Sequence, residues 1–196
     1  MSNLKTTKNL NWLCKLRFSL ILVFTCSLSI NYATAQSRLG WTTQKVNFRS
    51  GPGTDYGVIS SLSPGQQIFI ISSETENDFY NIIDIKSNRE GYIHKSFVKL
   101  GKIVEEQQGG LFESNGTTSN YSPEAEIFNN TDVELTLKIN STIHYFSPHQ
   151  KKTITLSPGQ SSYRASAPGV VPYIGNENLQ SNMKYTWQFY IVTTYR

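Results

Sequence analysis

The feature that most constrains this chain is a series of short apolar runs separated by turn signals rich in Gly, Pro and Asn. Runs of this kind predict strands rather than helices. In residues 135–139 the alternation has a period of two, which places Leu135, Leu137 and Ile139 on one buried face. We therefore predict an all-β protein, with strands at 45–48, 58–62, 67–71, 79–85, 91–93, 125–128, 134–139, 142–146, 152–156, 161–165 and 184–193.

The first 35 residues have the three parts of a secretory signal peptide. A cationic segment, 1–17, precedes a 13-residue apolar run, 18–30, and a small-x-small site that ends at Ala35. The apolar run is short of the roughly 20 residues that a membrane-spanning helix needs. We predict cleavage after Ala35, no stable membrane span afterwards, and a mature protein that is periplasmic or secreted. An uncleaved N-terminal anchor is the alternative.

Charge and cysteine content both change at the same boundary. Four of the 18 basic residues lie in the first 35 positions, which hold no acidic residue, so residues 36–196 carry 14 basic and 14 acidic side chains. A net charge of zero argues against nucleic-acid binding, which depends on clustered lysine and arginine. Both cysteines, Cys14 and Cys26, precede residue 36. The predicted mature chain therefore has no disulfide, thiol nucleophile or cysteine-ligated metal.

Composition divides the predicted mature chain into two β-rich regions. Residues 101–123 are rich in Glu, Gln, Gly, Ser and Asn, which is typical of a linker. We predict a small SH3-like barrel over 36–100, a linker over 101–123 and an antiparallel β-sandwich domain over 124–196. Within the sandwich, 167–182 is predicted to be a long loop, and loops of that length are often functional.

The first region contains one distinctive sequence motif. Residues 46–56 read Val-Asn-Phe-Arg-Ser-Gly-Pro-Gly-Thr-Asp-Tyr, and the pairs Pro64-Gly65 and Phe79-Tyr80 and the segment Gly91-Tyr92-Ile93-His94 follow. Proline fixes φ near −65° and the flanking glycines can take positive φ, so the chain can reverse sharply after the first strand. Residues 41–100 resemble the bacterial SH3 (SH3b) domain. The resemblance implies a barrel of five to seven strands whose open face binds peptidoglycan or an envelope peptide.

Five side chains of this region are the candidate ligand-binding residues: Asn47, Arg49, Tyr56, Phe79 and Tyr92. Asn47 and Arg49 share one face of a strand because they lie two residues apart. Aromatic rings offer stacking area, and arginine can bind a carboxylate with two hydrogen bonds. The alternatives are structural: Arg49 holds Asp55 or a backbone carbonyl, and Phe79 belongs to the core. The family most often has tryptophan where this chain has Phe79 and Tyr92, which implies a smaller aromatic surface.

The C-terminal region resembles small extracytoplasmic β-sandwich modules of no assigned family, in the Pro-Gly turn and Ala-Pro-Gly layout of 157–170. Tyr185, Trp187 and Phe189 alternate with polar residues and therefore face one way. We predict that they are core, with a carbohydrate-stacking surface as the alternative. A protein partner for this domain also stays open.

No catalytic site, metal site or cofactor is predicted. The three histidines, His94, His144 and His149, do not have the spacing of metal ligands. There is no Gly-x-Ser-x-Gly motif. Carboxylates that could pair for sugar hydrolysis, at 105–106 or at 124 and 126, lie in or beside the predicted linker.

These patterns favour an exported, non-enzymatic protein that binds peptidoglycan or an envelope peptide. The first alternative is a structural or assembly protein of the cell envelope, whose barrel packs on its own sandwich and binds no wall ligand. The second is a hydrolase with a serine or carboxylate site. Exposure of the three aromatic residues Tyr56, Phe79 and Tyr92 separates binding from the structural role.

Overall fold

A computed structural model describes residues 36–191, and the predicted signal peptide lies outside them. The first seven strands form one sheet in the order β3-β2-β6-β5-β4-β1-β7, and all neighbours are antiparallel. A turn of 3-10 helix, Lys95–Phe97, precedes the seventh strand. The strands are β1 (Arg38–Thr42), β2 (Val46–Arg49), β3 (Val58–Leu62), β4 (Gln67–Ile70), β5 (Phe79–Asp84), β6 (Arg89–His94) and β7 (Val98–Ile103).

Nine further strands form the two sheets of the sandwich: β8 (Gln107–Gln108), β9 (Glu113–Thr117), β10 (Glu124–Asn129), β11 (Leu135–Ile139), β12 (Thr142–Phe146), β13 (Lys151–Thr155), β14 (Gly159–Ser166), β15 (Tyr173–Leu179) and β16 (Met183–Phe189). One sheet has the order β13-β10-β16-β9 and the other β12-β11-β14-β15-β8. The all-β prediction is confirmed. The sandwich is mixed rather than purely antiparallel, because β10 and β16 are parallel, as are β15 and β8.

Each region has its own apolar core. The inward faces of the sandwich bury Leu135, Leu137 and Ile139, as the alternation of β11 predicts. The barrel core contains Val46, Phe48, Leu62, Ile68, Ile70, Ile82 and Ile93. Among residues 36–191, no helix is long and apolar enough to cross a bilayer.

Residues 101–123 differ from the linker that their composition predicts. Their strands β8 and β9 join opposite sheets, and between them Leu111 and Phe112 are buried in the sandwich core. The Glu177 carboxylate holds the chain where it passes from one sheet to the other, because it accepts hydrogen bonds from the Leu111 N–H at 3.0 Å and the Phe112 N–H at 3.4 Å. The segment is therefore part of the sandwich, because two large apolar residues amid polar neighbours can still anchor a chain.

The predicted loop 167–182 contains the strand β15. The strand was missed because its centre, residues 175–178, reads Gly-Asn-Glu-Asn, which is a turn-like composition. Gly175 pairs with Tyr163 of β14 and lies directly beneath the Tyr163 ring. A glycine in a strand often marks such a close approach.

We expect Gly175→Ala to lower the free energy of unfolding by about 1–3 kcal/mol, the usual cost of overpacking. A Cβ at this position would lie 2.5 Å from the Tyr163 hydroxyl oxygen and would also overlap the Gln107 carbonyl oxygen. Urea denaturation measures the change. Gly57→Ala is the matched control, because its Cβ would meet only the Ser50 hydroxyl at 3.7 Å. Equal stability of the two variants would contradict the packing described for β15.

The barrel and the sandwich share an apolar contact. Ile174 of β15 packs with Leu39, Phe69, Ile83 and Ile85 of the barrel in one buried cluster. Polar contacts border it: the Arg164 guanidinium donates to the Glu90 carboxylate, and the Gly169 N–H donates to the Ile85 carbonyl at 2.7 Å. One outer face of the barrel sheet is thus covered by the protein's own second region.

Candidate ligand-binding site on the barrel

The loop between β2 and β3 is held in a fixed shape by Arg49. The Nη1 atom of Arg49 donates hydrogen bonds to the Thr54 carbonyl at 2.9 Å and the Tyr56 carbonyl at 2.8 Å. The Ser50 N–H donates to the Gly57 carbonyl at 3.0 Å and closes the loop base. Of the two roles open to Arg49, the structure shows the one in which it holds backbone carbonyls. Both Nη1 hydrogens are used within the loop, so Arg49 positions Tyr56.

Tyr56 is the exposed aromatic residue of this loop, with 45% of its surface accessible. Its ring lies against the Gly51 backbone: a Cβ at Gly51 would lie 2.6 Å from Tyr56 Cγ. Glycine is therefore required at 51 for the ring to rest there. A ring that is held at low conformational cost and stays exposed to solvent is suited to stacking on a ligand.

We expect Gly51→Ala to displace the Tyr56 ring, because the added methyl group would occupy its position. The near-ultraviolet circular dichroism of tyrosine and the Tyr56 NMR resonances should change, while the variant stays folded. Gly57→Ala, which adds the same methyl group in open space, should leave both signals unchanged. An unaltered Tyr56 environment in Gly51→Ala would contradict the ring position.

Tyr92 lies opposite Arg49, which holds the Tyr56 loop, and so joins Tyr56 in the candidate site. It pairs with Arg49 across β6 and β2 and is half-buried. Burial raises the pKa of the Tyr92 hydroxyl above its usual value, and the negative charges of Glu76 and Glu90 raise that pKa further, with Tyr56 as the smallest contributor. The Tyr92 phenol is therefore near two carboxylates and the Tyr56 phenol.

The two remaining predicted residues differ in exposure. Asn47 is exposed on β2, where it accepts a hydrogen bond from the Ser61 hydroxyl at 3.5 Å. Phe79 is only 6% exposed and packs edge-on against His94, with ring centroids 5.2 Å apart. The Phe79 ring is covered at the start of β5, so its contact with a ligand stays a prediction that this burial disfavours. Its core alternative is what the structure shows.

The sequence analysis did not identify three neighbours of Tyr92: Asn81, Glu76 and Glu90. Asn81 of β5 lies directly opposite Tyr92, and its Nδ2 donates to Glu90 Oε1 at 3.2 Å. Alternation along β5 does not show which residues of β6 lie opposite Asn81, because that depends on the antiparallel register. With Glu76 and Glu90 near Tyr92, this part of the site favours a ligand group that is positive rather than a carboxylate.

The raised pKa of Tyr92 gives a prediction for pH titration. We expect its phenol to ionise above the ordinary value of 10.0, and Glu76→Gln to lower the Tyr92 pKa by removing a nearby negative charge. The stabilisation linked to this shift is complete below pH 10 and is lost as pH rises through the folded-state pKa. NMR titration of ring-labelled tyrosine measures both values. The same Tyr92 pKa in parent and Glu76→Gln would contradict the placement of Glu76.

Residues 45–99 match the family model described as bacterial SH3 domain. These residues are a bacterial SH3 domain. The resemblance read from residues 41–100 is thus confirmed, and the SH3 domain contains all five predicted ligand-binding residues. No curated protein matches the chain.

One solved structure, that of NlpC1 from Trichomonas vaginalis, is similar to the chain at 16% sequence identity and a TM-score of 0.29. The match covers 76% of this chain and 46% of that one, so this chain corresponds to less than half of NlpC1. Among residues 36–191, no three His, Cys, Asp or Glu side chains are placed to hold a metal ion.

Proposed function

We propose that this protein is an exported, non-enzymatic binding protein of the cell envelope, whose SH3 domain binds peptidoglycan or an envelope peptide. The observation that carries the proposal is the bacterial SH3 domain at 45–99, in which Tyr56 is exposed on a loop fixed by Arg49. Under this proposal the signal peptide is removed after Ala35 and the mature protein acts in the periplasm or outside the cell.

The chemistry of the site suits a short peptide. The Tyr56 ring offers an apolar face, the Tyr92 hydroxyl can donate or accept, and the Asn47 amide can do both. Glu76 and Glu90 add negative charge near Tyr92, which favours a peptide that carries a free amine. Because these contacts are few and exposed to solvent, we expect weak binding to a single peptide. Many copies of the peptide on one cell wall would strengthen retention of the protein.

The structural or assembly role is the second candidate, and the shared apolar cluster favours it. The SH3 domain is packed on its own sandwich through Phe69, Ile83 and Ile174. A barrel of about 60 residues buries only around 60% of its unfolded surface, so this contact supplies stability. Tyr56 lies outside the cluster and stays exposed, which leaves the binding role available to the packed form.

Cosedimentation of residues 36–196 with purified peptidoglycan sacculi tests the binding function. We expect the parent protein to be retained and Tyr56→Ala to lose at least about fivefold in affinity, equivalent to about 1 kcal/mol of lost stacking. Tyr145→Ala is the matched control, because Tyr145 is an exposed tyrosine on β12 of the sandwich. Circular dichroism verifies folding of each variant. Absence of the parent from the pellet would favour the structural role.

A further inference from the structure

We propose that the open edge of β16 binds an extended peptide, which adds to the sandwich sheet as a further strand. A cleft of about 860 Å³ borders this edge and includes residues 187–190 in its lining, and its volume is in the range of ligand sites. Alternate side chains of the bound peptide are apolar, facing the sandwich interior, and basic, facing outward. The inference concerns the sandwich alone and does not rest on the function proposed for the SH3 domain.

Strand β16 has a partner on both sides only over its first half. The pairing with β9 ends where Thr186 lies opposite Glu113, because the chain before Glu113 crosses to the other sheet. The pairing with β10 continues to Phe189. Among residues 36–191, the end of β16, 187–189, therefore pairs with β10 alone. An edge of this kind presents backbone N–H and C=O groups that have no strand partner.

Gln188 presents its backbone groups to the open edge. Along a strand, successive residues direct their N–H and C=O groups alternately to the two neighbouring strands. The Phe189 carbonyl accepts a hydrogen bond from the Asn130 N–H at 2.9 Å, on the β10 side. Just before β16, the Asn182 carbonyl accepts one from the Thr118 N–H at 2.9 Å, on the β9 side. Even-numbered residues thus face β9, so the Gln188 groups point into the space that β9 leaves open.

Both faces of β16 line the cleft, because the cleft follows the edge of the strand. Trp187 and Phe189 face the sandwich interior. Thr186 and Gln188 face outward, since successive residues of a strand lie on opposite faces. All four residues line the one cleft. A ligand that lies along an edge and offers side chains alternately to two faces is an extended peptide strand.

The inner side of the cleft is apolar. Trp187 is half-buried, and the rings of Phe112 and Phe189 are edge-on to its ring at 6.2 Å and 5.8 Å. The opposite wall includes Val170 and Tyr173, from the chain that leads into β15. Rings fixed by their neighbours lose little entropy when a ligand contacts them. An apolar side chain of the peptide would be buried between these two walls.

The C-terminal aromatic residues face one way, as the sequence alternation predicts. Tyr185 and Phe189 are buried in the sandwich core. Trp187, on the same strand, packs on the edge of that core and also lines the cleft. The proposal gives Trp187 an apolar peptide side chain as its ligand in place of a sugar ring.

On the outer face, the charged residue that borders the start of the open edge is Glu113. It is exposed, and none of the ion pairs among residues 36–191 involves it. Glu126, on the same face, is already paired with Lys151, with 2.7 Å between Oε1 and Nζ. A basic side chain of the peptide would therefore pair with Glu113. A second copy of β16 offers no such partner, because residues 187–191 read Trp-Gln-Phe-Tyr-Ile.

The open edge lacks the features that protect sheet edges from strand addition. Residues 187–190 contain no charged residue and no proline. Strand β13, at the opposite edge of the same sheet, carries Lys151 and Lys152. Lysine and proline are common means of blocking an edge, so their absence from the end of β16 supports a binding role.

Titration of residues 36–196 with a synthetic peptide tests the proposal. The probe is an acetylated and amidated hexapeptide that alternates leucine and lysine. We expect saturable binding, and exchange of the Gln188 amide hydrogen slowed at least about tenfold at saturation. The same peptide with methylated backbone nitrogens keeps its side chains but loses its backbone donors, so it should bind at least about tenfold more weakly.

Two variants at one position separate backbone contacts from side-chain contacts. Gln188→Pro removes the N–H that faces the open edge and keeps the pairing with β10, a position at which proline is tolerated. We expect it to bind the hexapeptide at least about fivefold more weakly. Gln188→Ala is the matched control, because it keeps the N–H, and it should bind as the parent does. Glu113→Gln should bind about threefold more weakly, and Tyr56→Ala should bind as the parent does.

The proposal is overturned if the folded parent does not bind the hexapeptide with a Kd below about 10 mM. Equal binding of the methylated peptide, or parental binding by folded Gln188→Pro, also overturns it. A dimeric parent that Gln188→Pro converts to a monomer overturns it as well, since a second copy would then occupy the edge. Loss of hexapeptide binding in Tyr56→Ala would place the peptide on the SH3 domain instead. None of these outcomes requires sacculus binding, so the two proposals fail separately.

Discussion

Asn129→Ala is expected to lower the free energy of unfolding by about 3–5 kcal/mol, because several buried hydrogen bonds are lost at once. The Asn129 side chain is fully buried. Its Nδ2 contacts the carbonyl oxygens of Val133 at 2.8 Å, Phe146 at 3.0 Å and Ser147 at 3.0 Å. The Thr131 hydroxyl donates to its Oδ1 at 2.7 Å. One amide therefore ties the turn after β10 to the end of β12.

Chemical denaturation of parent and variant measures this loss. Asn130→Ala is the control, because Asn130 is exposed and its backbone N–H, which donates to the Phe189 carbonyl at 2.9 Å, is kept. The control should stay within about 0.5 kcal/mol of the parent, as surface substitutions usually do. A loss below about 1 kcal/mol for Asn129→Ala would show that water replaces the amide at these carbonyls.

Ile174→Asp is expected to separate the SH3 domain from the sandwich. Ile174 is 7% exposed in the cluster shared with Phe69 and Ile83. An unpaired carboxylate there at pH 7 should cost about 3–5 kcal/mol. The parent should unfold in one transition, because the contact couples the two regions, whereas the variant should unfold in two with the SH3 domain first.

Differential scanning calorimetry distinguishes these outcomes. Ile143→Asp is the matched control, because Ile143 lies on β12 with 43% of its surface exposed, and it should keep one transition near the parental midpoint. If Ile174→Asp also keeps the parental profile, the contact between the SH3 domain and the sandwich does not contribute to stability.

The sequence predicted the strands that have a clear period or clear turns. Strand β11 follows the alternation of Leu135, Leu137 and Ile139, and β3 and β12 have the predicted bounds, 58–62 and 142–146. Strand β9 has no such signal, since all five of its residues are exposed. Its pairing with β16 depends on backbone hydrogen bonds, which composition does not encode.

Only the part of the candidate site that depends on local conformation could be predicted from the sequence. The loop motif located Arg49 and Tyr56 because its glycines and proline determine local geometry. The burial of Phe79 could not be predicted from the motif, because it depends on how His94 packs against the Phe79 ring. Glu90 shares a face with Tyr92 because it lies two residues earlier on β6, whereas the nearness of Glu76, which precedes β5, depended on the fold. Local conformation is readable from a short string, whereas contacts between distant strands are not.

Binding of a wall peptide to the SH3 domain can be observed directly by NMR titration of isotopically labelled residues 36–196 with a soluble stem peptide from peptidoglycan. We expect saturable shifts at Asn47, Tyr56 and Tyr92, with smaller changes in Tyr56→Ala. Shifts confined to residues of the sandwich, or none at millimolar peptide, would contradict the placement of the wall-binding site on the SH3 domain.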